Sequence, residues 1–181
     1  MMSSSAMSSM SRPSVDEIWE WLAHVPDPEI PVISVVDLGI VRDVAWERGA
    51  DGNDRLVVRI TPTYSGCPAT QVIAHDVQAA LAEHGVPDAE VLMQLSPPWT
   101  TEWMSETARE QLRGFGIAPP GYGGHDEVLV PLTRRRAPAA IACPRCGATE
   151  TRLVSEFGST PCKAHYTCLA CLEPFDYFKP L

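Results

Sequence analysis

The sequence predicts an α+β protein, a small mixed sheet with helices packed on it, followed by a short cysteine-rich β-ribbon. Three observations carry that expectation. Apolar residues recur at helical spacing in separate stretches, with short strand-like runs between them. Five of the six cysteines crowd into residues 143–171. Charge divides near the same place: residues 1–133 hold seven arginines against nineteen acids, and residues 134–181 hold seven Lys or Arg against four acids. The 181 residues suffice for one ordinary domain and a satellite. A hydrophobic share of 45% with 20% charged residues excludes wholesale disorder, collagen and coiled coil. The net charge of −9 argues against general binding to a phosphate backbone. No apolar run approaches the roughly 18 residues of a membrane span.

The elements follow in order. Residues 1–13, rich in Ser and Met, read as a tail. Ser14-Val15-Asp16-Glu17 is a capping-box pattern that opens a helix along Val15, Ile18, Leu22 and Val25, and Pro26 stops it. Asp27-Pro28-Glu29-Ile30-Pro31 holds too much proline for a regular element. Ile40 to Trp46 and Leu56 to Thr61 read as two strands of a hairpin, with Gly49 to Asp54 supplying turn chemistry. A second helix places Val72, Ile73, Val77, Ala80 and Leu81 on one face and ends at Gly85. Glu90 to Leu95 forms a strand that a parallel crossover joins to the hairpin, and a third helix runs from Glu102 to Arg113. These elements define a body over 14–118, a Pro- and Gly-rich linker over 119–140 and a ribbon over 141–181. Within the linker Val128 to Leu132 suits a strand. Arg134 to Arg136 read as a solvated connector or a contact with the acidic body, ahead of a nucleic-acid patch.

Cys143-Pro144-Arg145-Cys146 and Cys168-Leu169-Ala170-Cys171 are two C-x-x-C turns, each able to aim two sulfurs at one ion, so that four sulfurs close a tetrahedron. Short strands at Thr151 to Phe157, Ala164 to Thr167 and Pro174 to Phe178 complete a zinc-ribbon pattern. Structural zinc is the first reading, a rubredoxin-like iron site the second and disulfides the third. A closed site leaves no coordination position for substrate. The N-terminus has no basic start, apolar stretch or export cleavage pattern, so the expected compartment is the reducing cytoplasm. Cys162 is left over from the knuckles, beside Lys163 and near His165. It reads either as a packed small residue or as a further metal or cluster ligand.

The lone thiol of the body, Cys67, lies in Thr61-Pro62-Thr63-Tyr64-Ser65-Gly66-Cys67-Pro68, between a strand and a helix. Placed at or near the N-cap with Pro68 in the first helical position, it is expected to have its pKa lowered by the helix dipole. Residues alone leave two readings open, an ordinary turn cysteine and a reactive or metal-binding sulfur. Asp27, Glu29 and Asp37 are either hard ligands or solvated turn and capping acids.

Taken together, Asp27-Pro28-Glu29-Ile30-Pro31, Val35-Val36-Asp37-Leu38-Gly39, Thr61-Pro62-Thr63 and Gly66-Cys67-Pro68 resemble the SufT-like domain of iron–sulfur targeting factors. Pro97-Pro98-Trp99-Thr100-Thr101-Glu102-Trp103-Met104, Phe157-Gly158-Ser159-Thr160-Pro161-Cys162-Lys163 and the closing ribbon are similar to the PaaD (PaaJ) family of bacterial phenylacetate degradation. The resemblance spans about residues 14–181. It implies an accessory component of the phenylacetyl-CoA epoxidase system, more an assembly factor than an enzyme, that helps iron or an iron–sulfur cluster reach the oxygenase or its reductase. Cys67 would be the cluster-handling thiol, with Asp37 and Thr61 lining the same shallow site and Cys162 a further ligand. Cys143, Cys146, Cys168 and Cys171 would hold zinc. The implied partners are the other epoxidase components, including the iron–sulfur reductase; a homodimer with a second copy of the chain is left open, and charge and composition speak against nucleic acid and membrane. In keeping with this, the chain shows no nucleotide loop, flavin fingerprint or di-iron Glu-x-x-His pair. The alternative is a non-catalytic scaffold subunit that bridges oxygenase components.

Overall fold

A computed structural model describes residues 12–49, 52–64, 66–121 and 140–180. The strand expected at Val128 to Leu132 and the arginine triplet at 134–136 lie outside the described residues, as does most of the expected tail.

Helix α1 (Val15–Leu22) starts as its sequence dictates: the Ser14 hydroxyl accepts from the Glu17 amide, and Glu17 returns a bond to the Ser14 amide. It buries Ile18 and Leu22 completely. After it the chain turns irregularly through Pro26 to Gly39, with an isolated bridge between Pro26 and Ser34. Strand β1 (Val41–Arg48) pairs antiparallel with β2 (Asp54–Ile60), and a register shift falls between Val41 and Asp43. Helix α2 (Thr70–Glu83) then crosses over to β3 (Glu90–Met93), which runs parallel to β2. The sheet order is β1-β2-β3, so β2 is central. Leu56, Val58 and Ile60 of β2 face the helices and are buried, whereas Arg59 on the opposite face pairs with Asp43 at 2.8 Å and Glu47 at 2.7 Å.

Helix α2 buries Thr70, Ile73, Val77 and Leu81 against α1 and the sheet. Val72, expected on that face, is 48% exposed. It precedes Ile73 by one position and so sits about 100° around the helix, too far to share the seam. The third helical stretch also differs from expectation. A 3₁₀ turn at Thr101–Trp103 comes first, and α3 (Glu106–Phe115) starts afresh with Ser105 as its N-cap. The Ser105 hydroxyl accepts from the Ala108 amide, and Gly116 ends the helix in the left-handed conformation.

The chain then enters the second sheet earlier than the sequence suggests. Strand β4 (Ile117–Ala118) pairs parallel with β7 (Pro174–Phe178), giving the order β4-β7-β6-β5, with β5 (Thr151–Ser155) at the edge and β6 (Lys163–Cys168) inside. Ribbon and body are packed together. Cys162 and Phe178 of the ribbon belong to the apolar core of the body, and Phe178 lies 6.0 Å from the Trp99 ring. Trp99 is 4% exposed and donates its indole N–H to the Leu38 carbonyl at 3.0 Å. This packing fixes where ribbon residues stand relative to the 61–70 loop.

Candidate functional site

Two cysteine constellations result. In the first, Sγ atoms of Cys143, Cys146, Cys168 and Cys171 all lie within 4.8 Å of one another. Cys143 is 3.8 Å from Cys171, and Cys146 is 3.6 Å from Cys168. Sulfurs at the corners of a tetrahedron with metal–sulfur bonds of about 2.3 Å are separated by roughly 3.8 Å. The donor set therefore fits a metal ion. Electrostatics points the same way. The Cys171 amide, more than any other group, holds the Cys168 thiol down at about 7. Cys171 is pushed up to about 12: the Glu173 amide pulls against the rise, while burial and the sulfurs of Cys146, Cys168 and Cys143 drive it. Four such sulfurs cannot all ionise without a cation among them. The knuckles are also turned by backbone geometry, since Gly147 at φ 78° closes the first and Leu172 at φ 64° the second.

The second constellation is built across the two modules. A cavity of about 20 Å³ is lined by Asp27 and Glu29 of the proline-rich loop, Cys67 of the β2–α2 loop and Cys162 of the ribbon, with Leu38, Ile40 and Phe178 as apolar walls. Each side chain has a local reason for its place. Asp27 Oδ1 accepts from the amides of Glu29 at 3.0 Å and Ile30 at 2.9 Å, so the prolines and this turn together shape the loop. The Cys67 amide donates to the Tyr64 carbonyl at 3.0 Å, and the Cys67 carbonyl accepts from the Thr70 hydroxyl at 2.8 Å. The Thr160 hydroxyl lies 3.0 Å from Cys162 Sγ.

The helix dipole does not govern Cys67. Helix α2 begins at Thr70 with Ala69 as N-cap, two residues later than expected, because Pro68 and Ala69 continue the turn. Burial pushes the Cys67 thiol up, the Ala69 amide and the Thr70 side chain pull the other way, and the negative charges of Glu29 and Asp27 add to the rise. Cys162 is likewise raised, first by burial and then by Glu29 and Cys67, against the pull of Thr160 and Lys163. Burial also raises both carboxyls, Asp27 against its two amide donors and Glu29 with Asp27 adding repulsion. Without a cation, the cavity keeps its sulfurs protonated.

Other residues singled out in the sequence stand elsewhere. Asp37 lines a different cavity with Pro26, Ser34 and Gln111. Its carboxylate accepts from the hydroxyls of Ser34 at 2.9 Å and Ser105 at 2.8 Å, which ties the 26–39 loop to the start of α3. Thr61 is 1% exposed, its amide bonded to the Ile40 carbonyl and its hydroxyl without a partner among the described residues. Thr63, two residues on, reaches the Cys67 cavity; Ser65 is outside the described residues. His165 pairs through Nδ1 with Asp176 at 3.2 Å. Lys163 carries more than its sequence position announced. It is 5% exposed, 4.0 Å from Asp176, and its charge acts on Asp27, Glu29 and Cys162. No short-range pattern marks a lysine for burial.

Comparison with known proteins matches both modules. Residues 15–93 match a family model described as iron-sulfur cluster assembly protein, and residues 129–179 match the PaaD zinc beta ribbon domain. A protein of Escherichia coli (strain K12) that is named as one component of "Putative 1,2-phenylacetyl-CoA epoxidase" is 45% identical over 174 residues, covering 96% of this chain and 97% of that one. The Fe-S protein maturation auxiliary factor YitW of Bacillus subtilis (strain 168) is 38% identical over 49% of this chain and 82% of its own length. The corresponding figures for the Fe-S protein maturation auxiliary factor SufT of Staphylococcus aureus (strain USA300) are 38%, 47% and 92%. Full-length similarity to the first protein, with an assembly-type domain and a four-cysteine ribbon in the same order, means that this chain belongs to the PaaD family.

Proposed function

We propose that this chain is a maturation component of 1,2-phenylacetyl-CoA epoxidase that hands iron, alone or in a cluster, to the oxygenase or its reductase in the cytoplasm. The observation that carries the reading is the meeting of Cys67 and Cys162, from separate modules, with Asp27 and Glu29 around one cavity. Two thiols there can take an ion by giving up their protons and release it by recovering them. They are too few to cage it permanently, since stable clusters take about four thiolates. The ribbon would hold structural zinc through Cys143, Cys146, Cys168 and Cys171, which folds β5–β7 and so carries Cys162 to the cavity. Asp37 would act as a positioning residue for the loop that bears Asp27 and Glu29, and Thr61 would set the backbone that leads to Cys67. Partners would be other epoxidase components.

Cells that carry Cys67→Ser test this. The expected result is an assembled but iron-poor, inactive oxygenase. An iron-replete, fully active oxygenase would overturn the delivery role. The scaffold reading would then stand, supported by the apolar side chains that the ribbon exposes at Leu153, Val154, Phe157, Leu169 and Leu172.

A further inference from the structure

We infer that the cargo of the Cys67–Cys162 cavity is a single ferrous ion, bound by the two sulfurs and the Glu29 carboxylate, and not a preassembled iron–sulfur cluster. The inference rests on the proposed iron-handling role and narrows it.

Three observations converge. The first is size. A cavity of about 20 Å³ matches one water-sized sphere, and its walls at Leu38, Ile40 and Phe178 are buried core side chains. One ion fits that space with small movements of loop residues, whereas a cluster with its bridging sulfides requires the core to open. The second is donor chemistry. Two sulfurs with carboxylate oxygens form a mixed soft and hard set, which suits a single borderline dication; clusters are held by thiolates. Among the described residues, the one all-sulfur set of four is in the ribbon.

The third is the sign of the charge. Asp27 and Glu29 face a single ammonium, Lys163, which already has Asp176 beside it at 4.0 Å. The cavity thus holds excess negative charge, which attracts a dication. Size and donor chemistry, not this charge, separate one ferrous ion from a cluster core, which is also cationic before thiolates bind it. Lys163 limits the attraction, so the ion is held but not trapped. Binding needs no electron transfer: iron enters and leaves as Fe(II), the Cys67 and Cys162 S–H protons pass to solvent on entry, and both return on release. Among the described residues no second group of three or more donors lies within 4.8 Å of one another, so binding at this cavity requires the side chains of Cys67 and Glu29, both on loops, to move inward.

The test is anaerobic titration of the zinc-loaded full chain with ferrous salt alone, followed by reconstitution with ferrous salt, sulfide and thiol reductant. We expect one ferrous ion per chain beyond zinc, with thiolate-to-iron charge-transfer absorption, and no sulfide retained after desalting. Cys67→Ser should abolish that absorption, and Cys162→Ser should leave roughly half of it. Glu29→Gln should weaken ferrous binding about tenfold or more while the zinc content stays at wild type. Retention of sulfide and iron in equal amounts at Cys67, without binding of ferrous ion alone, would overturn the inference and leave the delivery role standing. Failure to bind iron in either form would overturn both. Ferrous binding unaffected by Glu29→Gln and by Cys162→Ser would overturn the assigned ligand set.

Discussion

At the scale of single residues, charge and backbone conformation each set local stability. Glu17 is one example. Its bonds with the Ser14 amide and hydroxyl lower its pKa below the ordinary 4.5, so the folded state favours the ionised form. A group depressed on folding stabilises above its unfolded pKa and loses that contribution as pH falls through the folded value. Glu17→Gln keeps the capping box but not the charge. Wild type should therefore be the more stable at pH 7, and the difference should vanish as pH falls well below 4.5, read as urea midpoints at each pH. Gly39 is another example. At φ 73° it occupies the left-handed region, and a Cβ there would stand 2.5 Å from the Trp103 carbonyl oxygen. Arg42 stacks 3.5 Å above the same tryptophan ring. Gly39→Ala should cost at least about 2 kcal/mol by urea unfolding, combining left-handed strain with a contact that backbone cannot relieve.

At the scale of elements, each helix or ribbon can be perturbed separately. Helix α1 spans two turns and is too short to persist alone, so its order comes from burying Ile18 and Leu22 beneath α2 and β1. Leu22→Ala should destabilise the body by about 3 kcal/mol, a cavity the neighbouring side chains cannot fill, measured by thermal or urea unfolding. The ribbon depends on a different force. Its own buried cluster consists of Ala118, Cys143, Cys168 and Phe175, far too little apolar surface for a stable sheet. A metal held by the four ribbon sulfurs would supply the rest, on the order of 10 kcal/mol if it is structural zinc. Cys143→Ser should lose the bound metal and the signature of β5–β7 in hydrogen exchange, while β1–β3 remain protected.

At the scale of the whole molecule, the ribbon is also a wall of the body. Because Cys162 and Phe178 sit in the body's core, unfolding the ribbon would further expose Cys67, which is half-buried in the folded protein. Chelation of the ribbon metal should therefore speed alkylation of Cys67, resolved by peptide mass spectrometry, and should lower the melting temperature of the body. Equal alkylation rates with and without chelator would show that the modules are uncoupled. Such coupling would make iron handling conditional on a metallated ribbon.

The sequence by itself determined what short range can encode. The capping box set the start of α1, alternation in Leu56, Val58 and Ile60 set the buried face of β2, and two C-x-x-C turns set the four-sulfur site, since each depends on neighbours within a few residues. The exposure of Val72 follows from its angle around α2 and the fresh start of α3 from the Ser105 cap, both local, whereas the placement of Asp37 was decided by its bond to Ser105 across the fold. The tertiary structure alone decided that Cys67 is half-buried beside two carboxylates instead of activated by a helix, and that a ribbon thiol lines its cavity while a ribbon ammonium acts on the same carboxylates. Their meeting depends on how one folded surface covers another, and no spacing along the chain records that fit.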